Sequence, residues 1–214
     1  MKFINSILLL LSFSLSLLSC NSKEEKSTAE IKQATAKDTN TIANPESAMN
    51  PYAAVDLSPM DMSYFPTDYP KIKMSDPSAA PPFARVIYSR PHLQGRKLFP
   101  AVLKYGDPWR LGANEATELQ LFKQATILGE KVKPGRYVLY CIPEPDKWTI
   151  ILNSNIDSWG LIPDSTKDIA HFTIPAVKNT NRREFFSMVF EKVPGGAELL
   201  MAWDDIEAKL PISF

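Results

Sequence analysis

Cysteine and histidine are scarce in this chain of 214 residues, which has two of each. His92 and His171 share no ligand spacing, and the cysteines lack the spacing of a metal site, so no metal ion is predicted. Cys141 lies in an apolar, strand-like run, where a small buried hydrophobe is expected rather than a nucleophile. No motif for a cofactor is present either, and we predict none.

An excess of charge of one sign is also absent, because 24 basic residues balance 24 acidic residues. Nucleic-acid-binding proteins usually carry a basic excess or a basic stripe. The sequence therefore predicts no nucleic-acid partner. The apolar content of 44% is ordinary for a globular protein, and the length suits one domain better than two.

The signatures of several enzyme classes are missing as well. The chain has no Gly-x-Ser-x-Gly elbow and no glycine-rich loop that would cradle phosphate. Glu115 and Glu118 are close in sequence, but three residues apart on a strand they face opposite sides, which disfavours a carboxylate pair for glycoside hydrolysis. We assign no catalytic residue.

An export signal occupies residues 1–19. Lys2 supplies a positive charge, and residues 7–18 form an apolar segment that is too short for a permanent transmembrane helix. Cleavage of this signal would leave the rest of the chain outside the cytoplasm.

The last residues of this signal, Leu17 to Cys20, read Leu-Leu-Ser-Cys and resemble a bacterial lipobox. The motif implies cleavage directly before Cys20 and attachment of lipid to its sulfur. Cys141 then has no partner for an internal disulfide. We expect an outer-membrane lipoprotein, periplasmic or surface-exposed, that contacts the membrane through the lipid on Cys20. The alternative is an ordinary signal peptide with a chance cysteine.

Composition divides the remainder of the chain. Residues 20–50 comprise the lipidated cysteine and a segment with almost no large apolar groups. This composition predicts a disordered tether. Residues 51–82 contain seven prolines, which argue against regular helix or central strand, but also many aromatic and apolar side chains. We predict an irregular arm packed on the domain, or alternatively a segment that binds a partner. All eight glycines and all four tryptophans follow residue 82, which places the folded domain at 83–214.

From Phe83 onward, apolar residues alternate with polar ones, which predicts β-strands. Turn signals such as Pro134-Gly135, 194–196 and Asp204-Asp205 separate the strands. This spacing predicts an all-β fold, a single antiparallel β-sandwich of jelly-roll or Ig-like type. The positions expected to face inward are Leu119, Leu121, Trp148, Ile150, Leu152, Phe186, Met188, Phe190, Leu199, Met201, Trp203, Ile206, Ala208, Leu210 and Ile212.

The stretch 105–117 concentrates turn formers, an aromatic residue and uncompensated polar groups. One hypothesis is that paired arginines and carboxylates form a closed ion network, which fixes the loop between residues 91 and 112 to the sheet. Asn114 would then cap backbone groups. The members of this network would be Arg90, Arg96, Arg110, Asp107, Glu115 and Glu118.

The other hypothesis is a ligand site, since binding sites tend to lie on loops of a rigid β-scaffold. Trp109 would be a stacking platform, and its polar neighbours would contact a carbohydrate or a peptide. The candidate ligand-binding residues are Trp109, Arg110, Asn114, Glu115, Arg90 and Arg96.

Two functions follow from these candidates. The leading hypothesis is a non-catalytic cell-envelope module that binds a ligand or partner, with carbohydrate or peptide as the expected ligand. The alternative is a hydrolase in which Glu115 acts with Arg110 or His92.

Several motifs within residues 83–214 carry a family resemblance. The most specific reads Trp-Arg-x-Gly-Ala-Asn-Glu-Ala-Thr over residues 109–117, and another is Pro-Gly-Arg-Tyr over 134–137. Together they resemble a family of exported bacterial domains catalogued as domain of unknown function 2911. This chain has Leu111 where the family usually has Thr, and Pro100 where Gly is commoner. The resemblance implies a β-sandwich and brings no established activity, cofactor or catalytic residue.

Overall fold

The computed structural model describes residues 56–214. The predicted signal peptide, Cys20, the predicted tether and residues 51–55 of the arm lie outside this range. None of the helices within it is long and apolar enough to cross a membrane.

The described residues form mainly β-strands, with one short α-helix, α1 (Tyr69–Ser75), and helical turns at Leu98–Val102 and Ser165–Lys167. The strands form one open antiparallel sheet, which confirms the predicted all-β antiparallel fold. In chain order they are β1 (Met60–Phe65), β2 (Ala84–Ser89), β3 (Thr117–Leu121), β4 (Ala125–Ile127), β5 (Glu130–Val132), β6 (Gly135–Pro143), β7 (Lys147–Asn153), β8 (Asp168–Val193) and β9 (Gly196–Ser213). In the sheet they follow the order β1-β2-β3-β6-β7-β8-β9-β4-β5.

Strand β8 belongs to both layers of the sandwich. Its first part pairs with β7, and its second part pairs with β9. The register of the β8–β9 hairpin shifts between Lys178 and Ser187, and Asp204 in β9 has a φ of 53°. The hairpin bends here. The predicted tight turn at Asp204-Asp205 is therefore wrong, because β9 continues through the bend instead of ending.

The two parts of this single sheet face each other across the core. Tyr88 on β2 packs edge-on against Phe186 on β8, with ring centroids 5.7 Å apart. Phe65 on β1 lies 6.3 Å from Phe190 on β8, and the backbone N–H of Phe190 donates to the Ser63 hydroxyl. One continuous sheet thus supplies both layers, where the sequence had suggested a jelly-roll or Ig-like arrangement.

Two adjacent glycines, at the end of the β8–β9 turn and at the start of β9, are required for different structural reasons. Gly195 has a φ of 81°, which favours glycine. A Cβ atom on Gly196 would collide with the carbonyl oxygen of Ile212 near the far end of the same strand. The bent hairpin therefore brings the two ends of β9 together at a distance that only glycine permits.

The positions expected to face inward are buried, and none of them is more than 5% exposed. Burial of one large apolar side chain contributes about 1.5–3 kcal/mol, so this set supplies most of the driving force for folding. Cys141 is buried among them, and burial raises the pKa of its thiol well above its usual value. Cys141 is therefore a small core residue, as predicted.

The proline-rich arm is more regular than the sequence predicts. Met60–Phe65 pair with β2 as an edge strand, and Tyr69–Ser75 form α1. Pro70 lies in the first turn of α1, where a missing N–H removes no helical hydrogen bond. An edge strand likewise tolerates flanking prolines. The expectation of an irregular segment is therefore wrong for these two elements.

Candidate functional site

Trp109 is a core residue that joins the two layers of the sandwich. Its side chain is only 7% exposed, and its ring centroid lies 5.7 Å from those of both Trp148 and Trp203. Its indole N–H donates to the carbonyl of Gly112 at 3.2 Å. Its backbone exchanges two hydrogen bonds with Cys141 on β6. The open aromatic face expected at this position is therefore absent.

The backbone after Trp109 is held in an unusual path. Leu111 has a φ of 52°. Its side chain is fully buried, which explains why an apolar residue is suitable at a position where the family usually has Thr. The Thr117 hydroxyl donates to the Leu111 carbonyl at 2.6 Å. Asn114 has a φ of 57°, and its amide donates to the carbonyl of Ser58 in the arm at 3.3 Å. Much of the stretch 105–117 thus connects loop, sheet and arm.

The charged side chains of the expected ion network have separate partners. Arg90 pairs with Asp61 on β1 at 3.4 Å. Arg96 donates to carbonyl oxygens of its own loop. Glu118 pairs with Arg136 on the neighbouring strand β6 at 2.8 Å. These contacts do not make one closed network.

Glu115 and His92 are not joined by a contact. Glu115 is exposed, and it forms no ion pair or hydrogen bond with Arg110 or His92 among the residues that the structure describes. The His92 ring stacks on Phe185 with centroids 5.2 Å apart and lies 3.0 Å from the Gln94 amide nitrogen. The structure therefore does not assemble the residues of the hydrolase alternative.

Arg110 borders a cleft of about 300 Å³, which we call the Arg110 cleft. Its walls are mainly apolar and come from the stretch 105–117, from the loop before it, from β9 and from the loop after β7. The wall residues include Val102, Leu103, Pro108, Trp109, Leu161 and Trp203.

The positive charge of the Arg110 guanidinium is not neutralised by an ion pair within the described residues. Its Nη1 donates to the carbonyl of Trp159 at 3.1 Å, and its Cζ lies 5.8 Å from the centroid of that indole. Burial lowers the pKa of Arg110, while the charge of Glu115 opposes this shift. Within residues 56–214, no carboxylate lies at ion-pair distance from it. Arginine has five N–H donors, so most of its donors are open to a ligand.

Trp159 supplies the exposed aromatic surface that the sequence had suggested at Trp109. Its side chain is 55% exposed. Gly160 fixes its position, because this glycine has a φ of 75° and an added Cβ would lie 2.8 Å from the Cβ of Ala116. In the sequence this residue is marked by a Trp-Gly pair at positions 159 and 160, but such a local pair cannot show that Trp159 lies against Arg110.

Metal binding finds no support in the part of the chain that is described. No three His, Cys, Asp or Glu side chains within residues 56–214 are grouped as a metal site requires.

The fold and the cleft together define an antiparallel β-sandwich domain with a loop-lined surface cleft. A family model described as Protein of unknown function (DUF2911) matches residues 81–212, and the chain belongs to this family, as its motifs predicted. The match begins after β1 and α1, which precede the family domain in sequence. Comparisons with curated proteins and with solved structures found no match.

Proposed function

We propose that this protein is a non-catalytic binding module of the bacterial cell envelope, and that its Arg110 cleft binds the C-terminus of a peptide. The observation that carries this proposal is the half-buried guanidinium of Arg110, which has one carbonyl partner and no carboxylate partner within the described residues. A carboxylate is the natural partner of such a group, because two parallel N–H donors match its two oxygens.

The shape and lining of the cleft indicate what accompanies the carboxylate. A volume of about 300 Å³ is at the small end of ligand sites and suits one apolar side chain. A peptide that ends in an apolar residue presents this side chain next to its terminal carboxylate. Trp159 lies at the same guanidinium and offers an exposed ring to the penultimate residue.

The envelope location is the second part of the proposal. The run Leu17 to Cys20 supports a lipid anchor on Cys20 in the outer membrane. Replacement Cys20→Ser is expected to release the protein from membranes in a fractionation experiment. A protein that stays in the membrane fraction after this change is not anchored through Cys20.

The binding site is tested with the full chain carrying Cys20→Ser. Short acetylated peptides that end in Leu, Phe or Val are titrated by calorimetry, each as the free acid and as the C-terminal amide. We expect the amides to bind at least about tenfold more weakly, because they lack the charge that pairs with Arg110.

Arg110→Gln is expected to remove this difference, and Arg96→Gln is the matched control, since Arg96 donates only to carbonyls of its own loop. Thermal unfolding of each variant verifies that the domain is folded. Equal binding of acid and amide, or undiminished binding by Arg110→Gln, would contradict the proposal.

A further inference from the structure

We propose that a second cleft, at the bend of the β8–β9 hairpin, binds an acidic saccharide. This cleft has a volume of about 520 Å³ and shares no lining residue with the Arg110 cleft, so the proposal is independent of the one above. We call it the Tyr105 cleft and define it by Lys97, Tyr105, Lys178, Arg182, Asp204 and Asp205.

Tyr105 offers an aromatic platform that is fixed from behind. Its ring stacks on that of Phe99, with centroids 3.9 Å apart and planes inclined by 12°. Phe99 in turn packs against the hydrophobic core. Tyr105 is 43% exposed, so the ring has surface left for a ligand. The apolar C–H face of a pyranose ring packs on such an aromatic surface.

The cleft carries a net positive charge that is free to act. The carboxylate of Asp204 already has hydrogen-bond partners within the protein, because it accepts from Nε of Arg182 and from the backbone N–H of Leu98. Lys97 and Lys178 form no ion pair among the described residues, which leaves two amines against the carboxylate of Asp205. This arrangement attracts an anionic ligand.

The one free carboxylate decides which anion fits. Asp205 accepts hydrogen bonds and donates none, so it repels a ligand that carries only acceptor oxygens, such as a phosphate. A uronic acid is complementary to both the positive and the negative groups of the cleft, since its carboxylate pairs with a lysine and its hydroxyls donate to Asp205. The pyranose ring then covers Tyr105.

The bond from Leu98 to Asp204 gives the cleft a fixed frame. It joins residues 106 positions apart in sequence, at 3.1 Å. Lys97 and Phe99 flank Leu98, so this bond fixes the backbone that carries the Lys97 side chain and the ring that supports Tyr105. The polar cleft is therefore held in shape by the fold in the absence of ligand.

The experiment uses the full chain with Cys20→Ser and tetramers that contain uronic acid, prepared from pectin, alginate and hyaluronan and titrated by calorimetry. Fully methyl-esterified tetragalacturonate keeps the sugar rings and removes the charge, and short polyglutamate keeps the charge without the rings. We expect at least one acidic tetramer to bind, and the ester and polyglutamate to bind at least about tenfold more weakly.

Variants separate the contributions of ring and charge. Tyr105→Ala is expected to weaken binding about five- to tenfold, while Tyr105→Phe keeps the platform and binds as the parent does. The double change Lys97→Gln and Lys178→Gln is expected to cost at least about tenfold. Lys131→Gln, exposed on β5, is the matched control.

Arg110→Gln should leave saccharide binding unchanged, which separates this proposal from the peptide site. Failure of all three tetramers to bind overturns the proposal. Polyglutamate binding as tight as the best tetramer, or an unchanged affinity in the double lysine variant, overturns it as well. Both lysines are exposed, so that variant is expected to fold even if Tyr105→Ala does not.

Discussion

The rings of Trp109 and Trp203 stack across the core, with centroids 5.7 Å apart and planes inclined by 29°. Trp203 belongs to β9, whereas Trp109 comes from the loop that precedes β3. The most specific motif of the chain therefore begins with a residue that joins the loop to the sheet. Its neighbour Arg110 faces the cleft. A structural residue and a residue of the candidate site are therefore adjacent in the sequence.

Trp109→Ala tests the scaffold role. Removal of a large buried aromatic side chain typically costs about 3–5 kcal/mol, because a cavity remains where the ring contacted its neighbours. We expect the urea concentration at the midpoint of unfolding to be lower for this variant than for the parent, because its free energy of unfolding is smaller. Trp159→Ala is the control, and as an exposed substitution it should change the free energy of unfolding by at most about 0.5 kcal/mol. Equal losses in the two variants would show that Trp109 does not hold the layers together.

Asp204→Asn tests the buried bond at the bend of the hairpin. Burial raises the pKa of Asp204, but hydrogen bonds from Arg182 and from the Leu98 N–H outweigh burial, so the pKa lies below its usual value. The stabilisation is therefore complete above the unfolded-state pKa of about 3.9 and is lost as the pH falls through the folded-state pKa.

We expect Asp204→Asn to be less stable at pH 6 by about 1–3 kcal/mol, because a buried donor loses its charged partner. The variant should also lose less stability than the parent between about pH 6 and pH 3. Urea unfolding at both values measures this difference, with Asp205→Asn as the control. The same acid sensitivity in parent and Asp204→Asn would exclude Asp204 as the responsible group.

Gly160→Ala tests how the loop that carries Trp159 is seated. Gly160 and Gly106 both have a positive φ, of 75° and 83°, but only Gly160 has a neighbour where a Cβ would be placed. Both substitutions carry a backbone cost of about 1–2 kcal/mol. Gly160→Ala should cost a further 1–3 kcal/mol or so, since Ala116 has to move. Calorimetric unfolding compares the two, and equal losses would mean that the loop shifts freely.

Glu115→Gln separates the binding module from the hydrolase alternative. The charge of Glu115 acts on Arg110 from outside ion-pair distance, so its removal should favour a carboxylate ligand. We expect Glu115→Gln to bind the free-acid peptides as well as the parent does, or up to about threefold more tightly. A hydrolytic activity that the parent shows and Glu115→Gln loses would support the alternative instead.

The sequence predicted the strands well because their signal is local. Alternation with a period of two needs only neighbouring residues, and it identified the inward faces of β3, β7, β8 and β9. It failed at Asp204-Asp205, where a turn-forming pair bends a strand without ending it, and at Pro70, where the position within the helix decides whether proline is tolerated.

The candidate site was predictable only in part for the same reason. The sequence identified Arg110 as a candidate ligand-binding residue, but its contact with Trp159 spans 49 positions of sequence. A pattern of residues cannot report such a contact, because it depends on how the loops meet after the sheet has folded.

By itself, the sequence determined the all-β class, the faces of the strands and the family, together with the prediction of a lipid anchor. These properties reside in short segments and in the periodicity of apolar residues. The tertiary structure alone decided that Trp109 is buried and that Trp159 lies against Arg110. It also decided that one bent sheet forms both layers, because each of these outcomes depends on packing between segments that are distant in the chain.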